Sequence, residues 1–321
     1  MRLIRIIGRV LESIPRFFQY RDEFNTQIAA WMCWAYVLPS RKGKCYMSGL
    51  QQYFQQELSE ITSQYLMQPH TVSGCPPKIL WCCWLSGEDT MPDLVRVCYQ
   101  AMKQQAPEDV QTVLITEKNY SQYISIPEYI VAKYRSGIIS AAHFSDILRF
   151  CLLSQYGGMW LDSTVFTSGP IPDDIFSRDY YTQKAADPSQ YPNEPSRAQW
   201  CGFIWAGAPG NPLFCFLRDG LLAYWKKHNA VIDYIFFDYI ILTAYHNLPY
   251  VKEMMDHQEP NNEHIWALWQ LMGQKYDMGV CAEVFHKNIF HKLSYKGNLT
   301  AYTTGGELTT YGWLIGENYE N

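Results

Sequence analysis

The feature that most constrains the fold is a change of period. From His143 to Phe166 the chain reads HFSDILRFCLLSQYGGMWLDSTVF. Ile147, Phe150, Cys151 and Leu153 recur in a helical rhythm. Gly157 and Gly158 supply a stop, and MWLDSTVF then alternates. On a strand, Trp160, Asp162 and Thr164 share one face, and Met159, Leu161, Ser163 and Val165 share the other. Upstream, Lys78–Leu85 (KILWCCWL) is a continuous apolar run of strand length. PDLVRVCYQAMKQQ follows as a helix with proline at its start, and VQTVLIT, from Val110 to Thr116, is a second buried strand. Strands alternating with helices predict an α/β fold with a mostly parallel sheet covered on both faces. Asp162 then lies near the C-terminal end of a strand, the edge at which such sheets bind ligands.

The residues before this pattern read differently. In MRLIRIIGRVLESIPRFF, at about 100° per residue, Arg2, Arg5, Arg9 and Arg16 fall in a narrow arc, and Leu3, Ile4, Ile6, Ile7, Val10, Leu11, Ile14, Phe17 and Phe18 cover the opposite side. Pro15 is expected to bend or end that helix. A basic stripe opposite an apolar one suits an interfacial helix, which makes an anionic membrane surface a candidate partner. It equally suits a helix docked on its own domain with its arginines in water. Ile28–Leu38 is too short to span a bilayer and reads as a buried helix or a further interfacial patch. Helical character runs to about residue 70, and the turn-rich Gln68–Pro77 marks a boundary. The expected organisation is a helical region over 1–70 and a catalytic domain over 71–321.

The bulk numbers narrow the classes. At 321 residues and 48% hydrophobic, the chain can build one large core. Its net charge of −5 offers no basic field, so no nucleic-acid partner is expected. Ten cysteines with no C-x-x-C spacing predict reduced, buried thiols and a cytoplasmic setting. No cleavable signal peptide is evident, and the sequons at Asn119 and Asn298 read as chance matches. With 24 Tyr and 11 Trp, some rings are candidates to line a carbohydrate or nucleotide cleft. There is no Walker lysine loop, no G-x-G-x-x-G after a strand and no G-x-S-x-G elbow.

Asp146 and Arg149 are placed to share one helix face. Spacing alone allows an ordinary intrahelical ion pair, with Asp162 a satisfied strand-end carboxylate. Three stretches add to this reading. PPKILWCCWLSG, AHFSDILRFCLLSQYGGMWLDSTVF and FHKLSYK, in that order, resemble the capsular polysaccharide synthesis branch of glycosyltransferase family 32. The resemblance covers roughly residues 76–296. It implies a GT-A (Rossmann-like) fold, a nucleotide-sugar donor, a divalent metal (Mn²⁺ or Mg²⁺) and transfer with retention. Asp162 matches the first aspartate of the family's Asp-x-Asp motif, and Thr164, a neutral donor, stands at the second. The resemblance implies that Asp162, Thr164 and His291 make the metal site, with His291 offsetting the missing carboxylate. It implies catalytic roles for Asp146, Arg149 and Asp162, with Asp146 on sugar hydroxyls and Arg149 on sugar or phosphate. Cys83, Trp84 and Ser145 would contact the donor, with Trp84 stacking on the base. Lys292, Ser294 and Lys296 would face the diphosphate, beside the plainer reading of Phe285–Lys296 as a solvated basic loop. Trp81 and His286 read as structural.

Three further segments carry weaker signals. Asp238, Asn261 and Asn262 are candidates for acceptor or orienting roles, beside the plainer reading of a carboxylate bonded to a tyrosine. WCGFIWAGAPGNPLF (Trp200–Phe214) reads as a strand and a turn into a helix, with its tryptophans candidates to border an acceptor cleft. The leading expectation is a sugar transferase acting on a glycan or lipid-linked saccharide acceptor, on the inner face of the cell membrane. A glycoside hydrolase with a carboxylate pair and a non-catalytic carbohydrate-binding or membrane scaffold protein remain the alternatives.

Overall fold

The computed structural model describes residues 2–38, 44–67 and 77–316. Four helices come first: α1 (Arg2–Glu23), α2 (Thr26–Val37), α3 (Lys44–Glu57) and α4 (Ser59–Met67). Strands and helices then alternate through β1 (Ile79–Cys83), α5 (Asp93–Gln105), β2 (Gln111–Ile115), α6 (Tyr120–Tyr123), α7 (Glu128–Arg135), α8 (Ala141–Tyr156), β3 (Gly158–Leu161) and β4 (Val165–Thr167). The remainder comprises β5 (Tyr180–Thr182), β6 (Ile204–Gly207), α9 (Pro212–Lys227), α10 (Phe236–Asn247), α11 (Pro249–His257), α12 (Ala267–Leu271), α13 (Met278–Lys287), β7 (Phe290–Lys292) and α14 (Thr310–Leu314). The boundary stretch Gln68–Pro77 lies, apart from Pro77, outside the described residues.

The central sheet has the order β2-β1-β3-β6-β5. β1 pairs in parallel with both β2 and β3, while β6 runs antiparallel to β3 and to β5. Four of the five strands therefore point one way, as the alternating pattern predicts. Side-chain alternation sorts the two faces. Trp81, Trp160 and Trp205 occupy paired positions on three neighbouring strands, and all three are buried on one face with α8, α9 and α10. Leu80, Cys82, Met159, Leu161 and Ile204 fill the other face with α5. Burying a tryptophan removes on the order of 200 Å² from water, so this row anchors the sheet.

The glycines between α8 and β3 are required by close packing. Both have positive φ, +68° at Gly157 and +85° at Gly158. A Cβ on Gly157 would come within 2.5 Å of the Gly207 carbonyl, and one on Gly158 within 2.6 Å of the Ile79 carbonyl. The chain can thus turn from helix into the sheet centre without a gap. β3 then ends sooner than the sequence pattern suggests. Asp162, Ser163 and Thr164 form a turn, closed by Val165 N donating to the Asp162 carbonyl (2.9 Å). β4 leaves the sheet and pairs with β7 in a separate two-stranded ribbon. The single alternating strand expected over MWLDSTVF is two strands joined by a turn.

The first helices share the main core. Phe54 of α3 stacks on Tyr239 of α10 with centroids 5.8 Å apart, and Tyr65 of α4 donates to Asp219 of α9 (2.7 Å). α2 buries Ile28, Ala29, Met32 and Ala35, as a buried helix should, although Trp34 stays exposed. α1 continues through Pro15 to Glu23 rather than ending there. The proline removes one backbone donor and crowds the carbonyl one turn back, yet the helix continues and α1 lies against α2, where Cys33 Sγ donates to the Ser13 carbonyl (3.4 Å). No helix among the described residues is long and apolar enough to cross a membrane.

Candidate active site

Parallel β1 and β3 end side by side, which brings Cys83, Trp84 and Asp162 to one edge of the sheet. Asp162 is fixed there by its own backbone, whose N–H donates to the Phe203 carbonyl (3.0 Å) just before β6. Its Oδ1 accepts from Arg149 Nη2 (2.9 Å) and from the Trp160 indole (2.9 Å). Its Oδ2 accepts from Lys292 Nζ (3.1 Å). Burial alone would raise this carboxyl, but the Lys292 and Arg149 charges outweigh it and hold Asp162 below the usual carboxylate range.

Arg149 joins the two carboxylates. Its Nη1 meets Asp146 Oδ1 at 3.0 Å, one turn along the same helix, while Nη2 holds Asp162. The guanidinium is 4% exposed and lies over the Trp160 ring, 4.9 Å from its centroid. Asp146 is less well compensated. Burial raises its carboxyl above the usual value and the Arg149 charge offsets only part of that. The Cys83 thiol beside them is hydrogen-bonded to Ser145 and pushed up to about 12 by burial, so it stays protonated and is no nucleophile. The structure therefore brings Cys83, Ser145, Asp146, Arg149 and Asp162 into one cluster.

The opposite wall comes from the ribbon. Val165 pairs with Lys292 and Phe166 with His291, and Leu293 N donates to the Thr164 carbonyl (2.9 Å). This register carries Lys292 Nζ to Thr164 Oγ1 (2.7 Å) as well as to Asp162, and over the Phe203 ring at 4.8 Å. Alternation sends its neighbour the other way. His291 is fully buried between Phe166 and Phe285, with Nε2 on Ser168 Oγ (2.9 Å). Burial lowers its imidazole to about 4, so it is neutral. The structure does not bring His291 together with Asp162 and Thr164.

The rim is aromatic and hydroxylic. Trp84 donates its indole N–H to Thr90 Oγ1 (3.0 Å), and Tyr295 meets its ring edge-on with centroids 5.5 Å apart. Ser294 Oγ is turned onto the backbone of its own loop, accepting from Lys296 N (3.2 Å). Lys296 is exposed beyond it, near the Tyr295 ring. Tyr295 and Phe203 are the members that sequence reasoning missed. Tyr295 lies inside the FHKLSYK motif, where it could have been noticed, but Phe203 enters through contacts distant in sequence, its carbonyl with Asp162 N and its ring with Lys292.

A divalent ion fits this donor set poorly. Such ions take about six or more oxygen ligands, usually including several carboxylates. Here both Asp162 oxygens already accept N–H donors, two of them from cations, and Thr164 contributes one neutral hydroxyl held by the same ammonium. Among the described residues, no three His, Cys, Asp or Glu side chains converge as a metal site would require.

The weaker candidates lie elsewhere. Asp238 is buried and accepts from the Trp200 indole (2.8 Å), and burial raises its carboxyl to about 7. The tyrosine-bonded carboxylate is instead Asp233, which accepts from Tyr46 (2.6 Å). Asn261 and Asn262 tie loops together through Lys184 N and the Phe290 carbonyl. Trp200 and Trp205 are buried and border no open cleft.

Comparison with known proteins adds a family. The model described as "Capsular polysaccharide synthesis protein" matches residues 38–311. No curated protein matches the sequence. Among solved structures, one named "PaToxG Glycosyltransferase" aligns at 13% identity and a TM-score of 0.39, covering 75% of this chain and 93% of that one. At that distance the fold rests on the sheet order itself.

Proposed function

The chain belongs to the capsular polysaccharide synthesis protein family, and on that premise we propose that it is a glycosyltransferase using a nucleotide-sugar donor. One observation carries the reading. A buried arginine holds two carboxylates at the C-terminal edge of the sheet, and a lysine from a separate ribbon closes on one of them. Open α/β sheets bind ligands at that edge. The cluster supplies acceptors for sugar hydroxyls on one side and a cation for phosphate on the other.

In this reading Asp146 and Asp162, oriented by Arg149, hold the donor sugar, and Trp84 with Tyr295 flanks the base. The anomeric C–O bond breaks with its electron pair leaving on the diphosphate oxygen. Lys292 stabilises that charge. The acceptor hydroxyl oxygen bonds to the same carbon, and its proton leaves with the diphosphate. Positioning and fixed charge do the work, with no enzyme nucleophile. Retention of configuration follows the family resemblance. A hydrolase fits less well, because both carboxylates are drawn to one guanidinium instead of flanking a gap for a sugar ring.

The test is a panel of UDP-, GDP- and CMP-sugars, with Mn²⁺, Mg²⁺ or EDTA, followed by nucleotide release. Release from one donor that disappears in Asp162→Ala supports the reading. Folded protein that binds and turns over none of them sinks it.

The acceptor is proposed to be a glycan or lipid-linked saccharide at the inner membrane surface. Support comes from α1, whose Ile7, Leu11, Ile14 and Phe18 form an exposed apolar stripe. Salt-sensitive binding to phosphatidylglycerol vesicles is expected, weakened about tenfold by Leu11→Asp with Phe18→Asp. Equal binding by that double variant refutes the membrane contact.

A further inference from the structure

We propose that Lys292 takes the place of a divalent cation, so that the protein binds a nucleoside diphosphate without metal. The inference rests on the nucleotide-sugar reading above and deepens it. A metal bridging Asp162 and Thr164 would have to stand between Oδ2 and Oγ1. Lys292 Nζ stands there, 3.1 Å from the first and 2.7 Å from the second. The ammonium carries three donors. Asp162 and Thr164 take two, which leaves one for an anionic oxygen, and 15% of the side chain is open to solvent.

Threonine at this position makes chemical sense beside a lysine. A second aspartate would give the ammonium two carboxylates and cancel its charge. With threonine, two carboxylates, Asp146 and Asp162, face two cations, Arg149 and Lys292. A divalent ion added to that set would meet two cations at contact distance of the same carboxylate. An incoming diphosphate instead meets a cation whose partners already fix its position.

The backbone fixes it further. Lys292 N donates to the Ile265 carbonyl (2.8 Å), and the residue pairs in register with Val165. The ammonium is therefore set by β7 and does not depend on a flexible loop. His291, the one imidazole in this motif's strand, is turned to Ser168 on the far side of the ribbon.

The experiment titrates the full chain with UDP, GDP, CDP and inorganic pyrophosphate by calorimetry, in EDTA and in Mn²⁺. At least one diphosphate is expected to bind in EDTA, within about twofold of its affinity in Mn²⁺. Lys292→Met should weaken it on the order of 30-fold or more, and Lys292→Arg should restore part of the loss. Circular dichroism of each variant establishes folding, and the wild-type comparison stands even if Lys292→Met unfolds. Manganese titrated alone, followed by the free-ion EPR signal, should show no stoichiometric site in the wild type. Binding only in Mn²⁺ overturns this inference and leaves the nucleotide reading intact. Binding in neither condition overturns both.

Discussion

Two carboxylates in this molecule share one kind of hydrogen bond but differ in their cations and in their exposure, Asp162 being 27% open to solvent and Asp238 buried. Asp162, at the end of β3, and Asp238, in the first turn of α10, each accept an indole N–H, from Trp160 at 2.9 Å and Trp200 at 2.8 Å. Asp162 also meets Arg149 and Lys292, and its carboxyl stays below the usual range. Among the described residues Asp238 meets no cation, and burial lifts it to about 7. An indole hydrogen bond alone does not keep a buried carboxylate ionised; neighbouring cations, helped by partial access to solvent, do so at Asp162. An ionised group at the sheet edge is what a site for sugars and phosphates requires. A carboxyl shifted toward its neutral form is what packing in the helix layer produces.

The largest effect expected from breaking this contrast is at Arg149. Arg149→Met leaves the half-buried Asp146 and Asp162 without their shared cation, at a cost of up to about 3–5 kcal/mol near neutral pH. Urea unfolding should show the loss, and the gap to wild type should shrink as pH falls toward 4 and the stranded carboxylates take up protons. A pH-independent gap would mean that the arginine acts only through packing.

Lys292→Met should separate stability from function. The side chain is partly open, so unfolding should shift by no more than about 1–2 kcal/mol, while nucleotide release falls on the order of 100-fold. A loss of stability comparable to that of Arg149→Met would make Lys292 a structural cation and not the one that meets phosphate.

The pH dependence of the two aspartates should have opposite signs. Asp162 ionises more readily folded than unfolded, so its contribution is present above about pH 4 and is lost as pH falls through its lowered folded value. Asp238 holds its proton more tightly folded than unfolded. Its contribution is complete below about pH 4 and is lost as pH rises to about 7. Asp238→Asn should therefore flatten the stability profile between about pH 4 and 7, with the Trp200 bond retained. Asp162→Asn should lower stability at neutral pH and converge with wild type in acid. Identical profiles would erase the distinction.

The smallest effect is expected at Thr164. Thr164→Val removes one of the two anchors of Lys292 but leaves the ion pair, so unfolding should move by only about 1 kcal/mol. Nucleotide release should fall severalfold, less than in Lys292→Met.

The two walls of the site also differ in how far the sequence discloses them. Asp146, Arg149 and Asp162 lie within one helix–glycine–strand unit, where period and helical spacing bring them together. Lys292 and His291 reach the site, or fail to, through a ribbon whose partner strand lies more than a hundred residues away. Their motif is visible in the sequence, but on a strand adjacent residues face opposite ways. Without the Phe166–His291 register, nothing decides which of the two meets Asp162. The sequence resemblance points to the histidine; the pairing brings the lysine to Asp162. The same ribbon explains why MWLDSTVF is not one strand, since β4 turns away at Asp162 to meet β7. Asp238 is a candidate from the sequence, but its partner Trp200 lies in the bend before β6 and not in the strand that the sequence suggests from Trp200 onward.

The most direct test compares the two carboxylates in one assay. The kcat for nucleotide release from the preferred donor should fall on the order of 100-fold or more in Asp162→Asn and stay within a few-fold of wild type in Asp238→Asn. Equal losses, or the reverse order, would contradict the placement of the active centre at Asp162.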